Sequence, residues 1–153
     1  MPRSNFQQID LAVIINNAIG IFKESSRVKF EFQPHGEFFV NADKEQLLRV
    51  FNNLIQNSIQ AISDPVEGLI KIVISADESH HRIEFHDNGK GIPESMQDKV
   101  FYPNFTTKSG GMGLGLALVK NIIENAGGTI TFESAEGTGT TFLLVLPRKA
   151  MEG

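Results

Sequence analysis

Apolar residues at Ile9, Val13, Ile14, Ala18, Ile21 and Phe22 recur at helical spacing and predict an amphipathic helix from Ile9 to Phe22. Val28-Lys29-Phe30-Glu31-Phe32 alternates apolar and polar, as a half-buried strand does. Pro34-His35-Gly36 is turn chemistry, and Phe38-Phe39-Val40 reads as a short strand. The clearest helix follows. Asp43 is its N-cap with Gln46 three residues on, and Leu47, Leu48, Val50, Phe51, Leu54, Ile55, Ile59 and Ile62 form a broad apolar stripe. Ser63-Asp64-Pro65 ends it, because the residue before proline avoids helical geometry. Ile70 to Ile74 and Ile83 to Phe85 alternate as strands about a polar turn near Ser79-His80. From Asp87 to Gly115 the chain is rich in glycine and threonine and lacks a long apolar run. It reads as an extended loop with one helical turn around Met96 to Val100, the kind of segment that in compact domains is a functional lid or disordered. Leu116 to Ala126 returns to helix, closed by Gly127-Gly128. Thr129 to Glu133 and Thr140 to Leu146 are strands flanking the turn Glu136-Gly137-Thr138-Gly139.

Paired strands with helices between them predict a two-layer α/β sandwich, helices packed on one face of a mixed sheet. The alternation is too imperfect for a doubly wound parallel sheet. The 153 residues suit one domain, taken as 9–148, with 1–8 as a linker or artificial start and 149–153 as a tail. A hydrophobic content of 41% supports a buried core. The net charge of -4 argues against general nucleic-acid binding, which needs a basic face, but not against a nucleotide held by a few local donors. The absence of cysteine excludes a disulfide scaffold and a thiolate zinc site and fits a reducing cytoplasm. No apolar run has membrane-helix length, and Met1-Pro2-Arg3-Ser4-Asn5 lacks the apolar stretch of a signal peptide.

Four short motifs carry candidate chemistry. In Asn53-Leu54-Ile55-Gln56-Asn57, residues four apart share a helical face, so both terminal amides project together. Such amides suit a hydrated Mg²⁺ and phosphate oxygens without adding negative charge; the competing reading is a polar helix margin facing water. In His86-Asp87-Asn88-Gly89-Lys90-Gly91-Ile92-Pro93, an aspartate at a strand end precedes two spaced glycines. The carboxylate can accept from an exocyclic amine such as that of adenine, and the glycines permit close approach of a flat ligand; an ordinary Asp-Asn-Gly turn is the alternative. Gly110-Gly111-Met112-Gly113-Leu114-Gly115-Leu116 opens a helix, where exposed N–H groups and the helix dipole suit phosphates. It lacks the preceding strand of a dinucleotide fingerprint and the ending of a P-loop. Gly137-Thr138-Gly139-Thr140-Thr141-Phe142, taken alone, is a hairpin turn into an apolar strand.

Together these segments resemble the ATP-binding superfamily shared by DNA gyrase, the heat-shock chaperone of that fold, mismatch-repair ATPases and histidine kinases. They look like its N box, G1 box, G2 box and final glycine-threonine turn. Phe101-Tyr102-Pro103-Asn104-Phe105-Thr106-Thr107-Lys108 resembles the F box that histidine kinases place in the lid. The resemblance runs from about Ile9 to Pro147. It implies ATP and Mg²⁺ as ligands, with Asn53 and Asn57 on the metal and phosphates and Asp87 on adenine. Nucleotide contacts are further implied at Gly89, Gly91, Ile92, Phe101, Phe105, Thr106, Thr107, Gly111, Met112, Gly113, Leu114, Gly115, Leu116 and Thr141. The lid would run from about Pro93 to Gly111, anchored by Phe101 and Phe105.

Hydrolytic members of the superfamily carry a general-base glutamate where this chain has Asn53. An amide cannot take that proton at neutral pH, so ATP would be spared for transfer to another acceptor. Thr106-Thr107-Lys108 and Gln60-Ala61 look like the nitrogen-regulation branch. Many relatives place lysine or arginine at the position of Gln60, so the phosphate-contacting cation would come from elsewhere, Lys108 first and Lys90 second; the alternative for each is a solvated loop charge. A phosphoacceptor histidine is missing: His35, His80, His81 and His86 read as structural or surface residues. The implied protein is a two-component histidine kinase in the cytoplasm, its partners a dimerisation and phosphoacceptor domain outside this chain and a response regulator downstream. Neither nucleic acid nor membrane is contacted by this domain, and membrane attachment of the parent is left open. An anti-sigma-type serine kinase or a nucleotide-binding regulatory module on the same fold are the alternatives.

Overall fold

The computed structural model describes residues 5–24, 26–64, 67–103 and 115–148. Seven strands and three α-helices follow in the order β1 (Phe6–Asp10), α1 (Leu11–Lys23), β2 (Lys29–Phe32), β3 (Phe39–Asp43), α2 (Lys44–Ala61), β4 (Leu69–Ala76), β5 (His80–Asp87), a 3-10 turn (Glu94–Lys99), α3 (Leu116–Asn125), β6 (Thr129–Ala135) and β7 (Gly139–Pro147). The main sheet has the order β2-β4-β5-β7-β6; β1 and β3 form a separate antiparallel pair. Only β2 and β4 run parallel, so the sheet is mixed as predicted.

The first helix departs from its prediction. Asp10 accepts from the Ala12 amide, which starts α1 at Leu11 and leaves Phe6–Asp10 to pair with β3. The buried face is Leu11, Ala12, Ile14, Ile15, Ala18 and Ile19, whereas Val13 and Ile21, placed on the core face by the sequence reading, are 53% and 54% exposed. The reading skipped Leu11 and Ile15, so its stripe was rotated about the helix.

The second helix matches closely. Asp43 Oδ1 accepts from the Glu45 and Gln46 amides, and Oδ2 from the Asn5 amide at 2.8 Å. The Asn5 bond is the main cause that holds the Asp43 carboxyl below its ordinary range. Leu47, Val50, Phe51, Leu54, Ile55, Ser58 and Ala61 are buried, and Phe51 stacks on Phe85 of β5 at 5.8 Å between ring centres. The helix ends at Ala61, with Ile62 extended; Pro65 of the expected stop signal lies outside the described residues. α3 ends on Gly127 (φ 86°), whose amide donates to Glu124 while Gly128 donates to Ile123, a Schellman closure.

Side chains alternate across the sheet. Ile70, Ile72, Ile83, Phe85, Asp87, Thr140, Phe142, Leu144 and Leu146 are buried beneath the helices. The other face carries Glu84, His86 and Thr141, joined by bonds of 2.9 Å from His86 to each of the other two. At the far end of β5 from Asp87, buried His81 bonds the Phe39 carbonyl at 2.9 Å and packs edge-on against Phe38, tying the small sheet to the large one. Burial pulls its pKa down, so it sits there as a neutral ring.

Candidate nucleotide site

The end of β5 brings three of the four motifs together. Asp87 is 8% exposed, and its Oδ1 accepts from the Gly89 amide at 2.9 Å. Burial pushes its carboxyl above the usual range, against the Gly89 amide, the Ser58 hydroxyl and the Thr140 amide, which favour the anion. Asp87 Oδ2, Ser58 Oγ and Asn57 Nδ2 are buried, and none completes a hydrogen bond of good geometry. Leaving one buried polar group unpaired costs about 1–3 kcal/mol. Two buried core side chains of α2, at about 1.5–3 kcal/mol each, offset that cost, so the helix tolerates the pattern without explaining it. Polar atoms held without partners along one face are what a site for a polar ligand requires.

Asn53 extends this row by one helical turn. Its side chain lies against Gly115, where an added Cβ would meet Asn53 Nδ2 at 2.9 Å. Gly115 takes φ 83° and opens α3 with no side-chain cap. The amide pair of α2 and the amino end of α3 therefore share one corner, where exposed N–H groups favour an anion. Gly115→Ala is expected to lower the thermal midpoint by several degrees, since the left-handed backbone costs about 1–2 kcal/mol with a Cβ and about 2–4 °C accompanies each kcal/mol. It should also weaken nucleotide binding at least tenfold by displacing Asn53. Titration calorimetry showing loss of stability with unchanged affinity would separate Asn53 from the site.

Gly89 and Gly91 have a packing reason for lacking side chains. An added Cβ at Gly89 would meet Ala61 of α2 at 2.7 Å, and one at Gly91 (φ 75°) would collide with the Ala135 carbonyl. The Lys90 amide donates to Ala61 and its carbonyl accepts from Gly137, both at 2.7 Å, pinning the loop between α2 and the β6–β7 turn. Asn88 fastens the other side, accepting from the Leu69 amide and donating to the Glu67 carbonyl.

Other candidates are placed as follows. Ile92 and Leu116 are core residues, 4% and 0% exposed. Phe101 is half-buried edge-on against Phe132, with Lys120 Nζ 5.3 Å from its ring centre. Thr141 is turned to the outer face and bonds His86; Thr140, its neighbour, is the residue beside Asp87, because the two pair directly across β5 and β7. Phe105, Thr106, Thr107, Lys108, Gly111, Met112, Gly113 and Leu114 lie outside the described residues. Ser58, buried beside Asp87, carried no signal in the sequence beyond its proximity to Asn57.

Comparisons with known proteins give the class of this fold. The model of the histidine kinase-, DNA gyrase B-, and HSP90-like ATPase family matches residues 42–150, and the chain belongs to that family. It is 39% identical over 145 residues to the sensor histidine kinase ZraS of Escherichia coli strain K12, covering 92% of this chain and 31% of ZraS. It is 40% identical over 152 residues to the histidine-protein kinase AtoS of the same strain, covering 95% of this chain and 25% of AtoS. The chain thus spans about a third or less of these curated relatives. The catalytic domain of histidine kinase ThkA superposes with a TM-score of 0.83 at 32% identity, covering 94% of this chain and 96% of that one. A structure of ThkA in complex with the response regulator TrrA matches with a TM-score of 0.79, 31% identity, and 94% and 42% coverage.

Proposed function

We propose that this chain binds Mg-ATP and transfers its γ-phosphoryl group to a histidine on a dimerisation domain outside the chain, for relay to a response regulator. The observation that carries the reading is the row Asp87, Ser58, Asn57, Asn53, Gly115, whose first three members hold buried polar atoms without partners. Asp87 accepts from the 6-amino group of adenine. Asn57 and Asn53 face the phosphates, and the amino end of α3 receives their charge. The amide oxygens of Asn53 and Asn57 are hard, neutral donors of the kind Mg²⁺ takes alongside phosphate and water. Held by these amides, Mg²⁺ would supply charge neutralisation at the phosphate oxygens. Among the described residues no cluster of three or more His, Cys, Asp and Glu offers a rival metal site. The P–O bond to ADP breaks, ADP leaves with the electron pair, and a P–N bond forms to the incoming imidazole; the protein positions and neutralises more than it reacts.

With an amide at Asn53, water lacks a base at that place, and general-base help is typically worth about 10²–10⁴-fold. The isolated chain is expected to hydrolyse saturating Mg-ATP far below the median enzyme turnover of about 10 s⁻¹. It should label a separately prepared dimerisation hairpin faster than water. Phosphate release measured beside γ-labelled transfer tests both. Rapid release would make the chain a hydrolytic ATPase; label on serine in place of histidine would make it a serine kinase; binding without release or transfer would leave a regulatory module. No described helix is long and apolar enough to cross a membrane.

A further inference from the structure

β2 ends the main sheet: it pairs with β4 on one side and with no described strand on the other. The ladder fixes which backbone groups are left over. The Lys29 amide donates to the Gly68 carbonyl, and Lys29 and Glu31 stand opposite Leu69 and Lys71 in parallel register, so the backbone of these two residues faces β4. The amides and carbonyls of Phe30 and Phe32 point the other way, out of the sheet edge, and bond no described residue. Side chains divide by face. Phe30 and Phe32 stand opposite buried Ile70 and Ile72, on the helix side, and are half-buried. With Ile19 of α1 and Val28 they line a cleft of about 380 Å³. Lys29 and Glu31 are exposed on the outer side, and neither has an ion-pair partner among the described residues.

An unpaired edge is a template for another strand, and lysine on it ordinarily deters pairing. Here the charge pattern separates one register from its neighbours. A second copy of β2 can add antiparallel about a twofold axis normal to the sheet, outward residues opposite outward residues. An axis on Lys29 sets lysine against lysine, and an axis on Glu31 sets glutamate against glutamate. An axis on Phe30 sets Lys29 of each copy against Glu31 of the other. Those are non-hydrogen-bonded pairs of the ladder, where side chains approach most closely. In that register the two Phe30 residues exchange both backbone bonds, and the Phe32 amide of each copy meets the Val28 carbonyl of the other. The Val28 amide needs no such partner, because it donates to Ser26 Oγ at 3.1 Å. On the helix side the same register brings Phe30 against Phe30 and Phe32 against Val28, covering the apolar cleft. β6, at the other edge, carries Glu133 and no cation, so no register there offers opposite charges.

We propose that β2 is a docking edge for a second copy of this chain, joined antiparallel about Phe30, with Lys29 of each copy paired to Glu31 of the other and the two sheets running on as one. The inference is independent of the nucleotide reading, since it uses none of that site's residues.

The test is analytical ultracentrifugation of this chain at rising concentration, with amide hydrogen exchange beside it. Wild type should pass from monomer to dimer by about 1 mM, the affinity range of a small interface. Exchange at the Phe30 and Phe32 amides should slow over the same range. Lys29→Glu and Glu31→Lys should each weaken self-association by about tenfold, since each sets like charges together at two symmetry-related pairs. Both positions are exposed, so thermal melts of the variants should match wild type. Mixed in equal amounts, the two variants should associate as wild type does, because the acidic edge of one then faces the basic edge of the other. The Lys29→Glu/Glu31→Lys pair in one chain should also associate as wild type does. A wild type that stays monomeric, a dimer indifferent to Lys29→Glu, or variants that do not associate on mixing overturns the proposal. A monomeric wild type whose Phe30 and Phe32 amides slow only on adding an extended acidic peptide would make the edge a peptide site and overturn it as well.

Discussion

Asp87→Asn is expected to weaken ATP and ADP binding by about ten- to a hundredfold, the loss of one charge-assisted hydrogen bond of roughly 1.5–3 kcal/mol. The same variant should raise the thermal midpoint of the nucleotide-free chain at pH 7. Burial holds the Asp87 carboxyl above its usual range, so the folded chain binds the proton more tightly than the unfolded chain does. Between the unfolded and folded values the folded state carries more protons, and stability falls as pH rises through that window. At pH 7 the buried anion is a standing cost. Asparagine removes the charge and retains an oxygen for the Gly89 amide. The midpoint is expected to rise, each kcal/mol appearing as about 2–4 °C for a chain of this length. The gain should shrink as the pH is lowered and the wild-type carboxyl takes up its proton. Scanning calorimetry at several pH values beside binding titrations reads both effects. Unchanged affinity would remove Asp87 from the base site, and a lower midpoint at neutral pH would mean that the Gly89, Ser58 and Thr140 donors outweigh the cost of burying the anion.

Asn57→Ala is expected to lower phosphoryl transfer to a hairpin supplied in trans by about 10²–10³-fold, the usual effect of deleting one preorganised donor at a site of developing charge. Nucleotide affinity should change by less than about tenfold, because adenine recognition stays intact at Asp87. Stability should fall little, although Asn57 is 2% exposed, since its Nδ2 makes no hydrogen bond that the substitution could break. Single-turnover transfer kinetics and a thermal melt decide the matter. Full transfer in a well-folded variant would show that Asn57 faces something other than the phosphates.

The parts of this fold that were legible carry their own local instructions. α2 shows an aspartate cap and a stripe of large apolar residues, and the observed helix follows both. The 3-10 turn at Glu94–Lys99 falls where one helical turn was expected in an otherwise irregular stretch. β1 was invisible because Phe6-Gln7-Gln8-Ile9-Asp10 does not alternate; it is a strand only because β3 pairs with it. Such a segment is decided by a partner about thirty residues or more away in sequence, and no local pattern records the pairing. The site divides the same way. Asp87, Asn53 and Asn57 were marked by residue type at strand and helix positions. Of the threonine pair the sequence reading named Thr141, because such a pair gives no sign of which member faces inward. That is set by the pairing of β7 with β5, where Thr140 stands opposite Asp87.

The tight packing of Gly89 against Ala61 and of Gly91 against Ala135 bears on how relatives of this chain decay. A lineage that lost nucleotide binding would still need those glycines, because any side chain there meets backbone whether or not a ligand is present. Asp87 and Asn57 are under the opposite regime: each holds a buried polar atom that the fold leaves unpaired, so drift without selection for binding would favour their replacement. A degenerate copy would therefore keep the glycine signature and shed the aspartate and asparagine. The spaced glycines mark ancestry, and the unpaired polar side chains mark a living site.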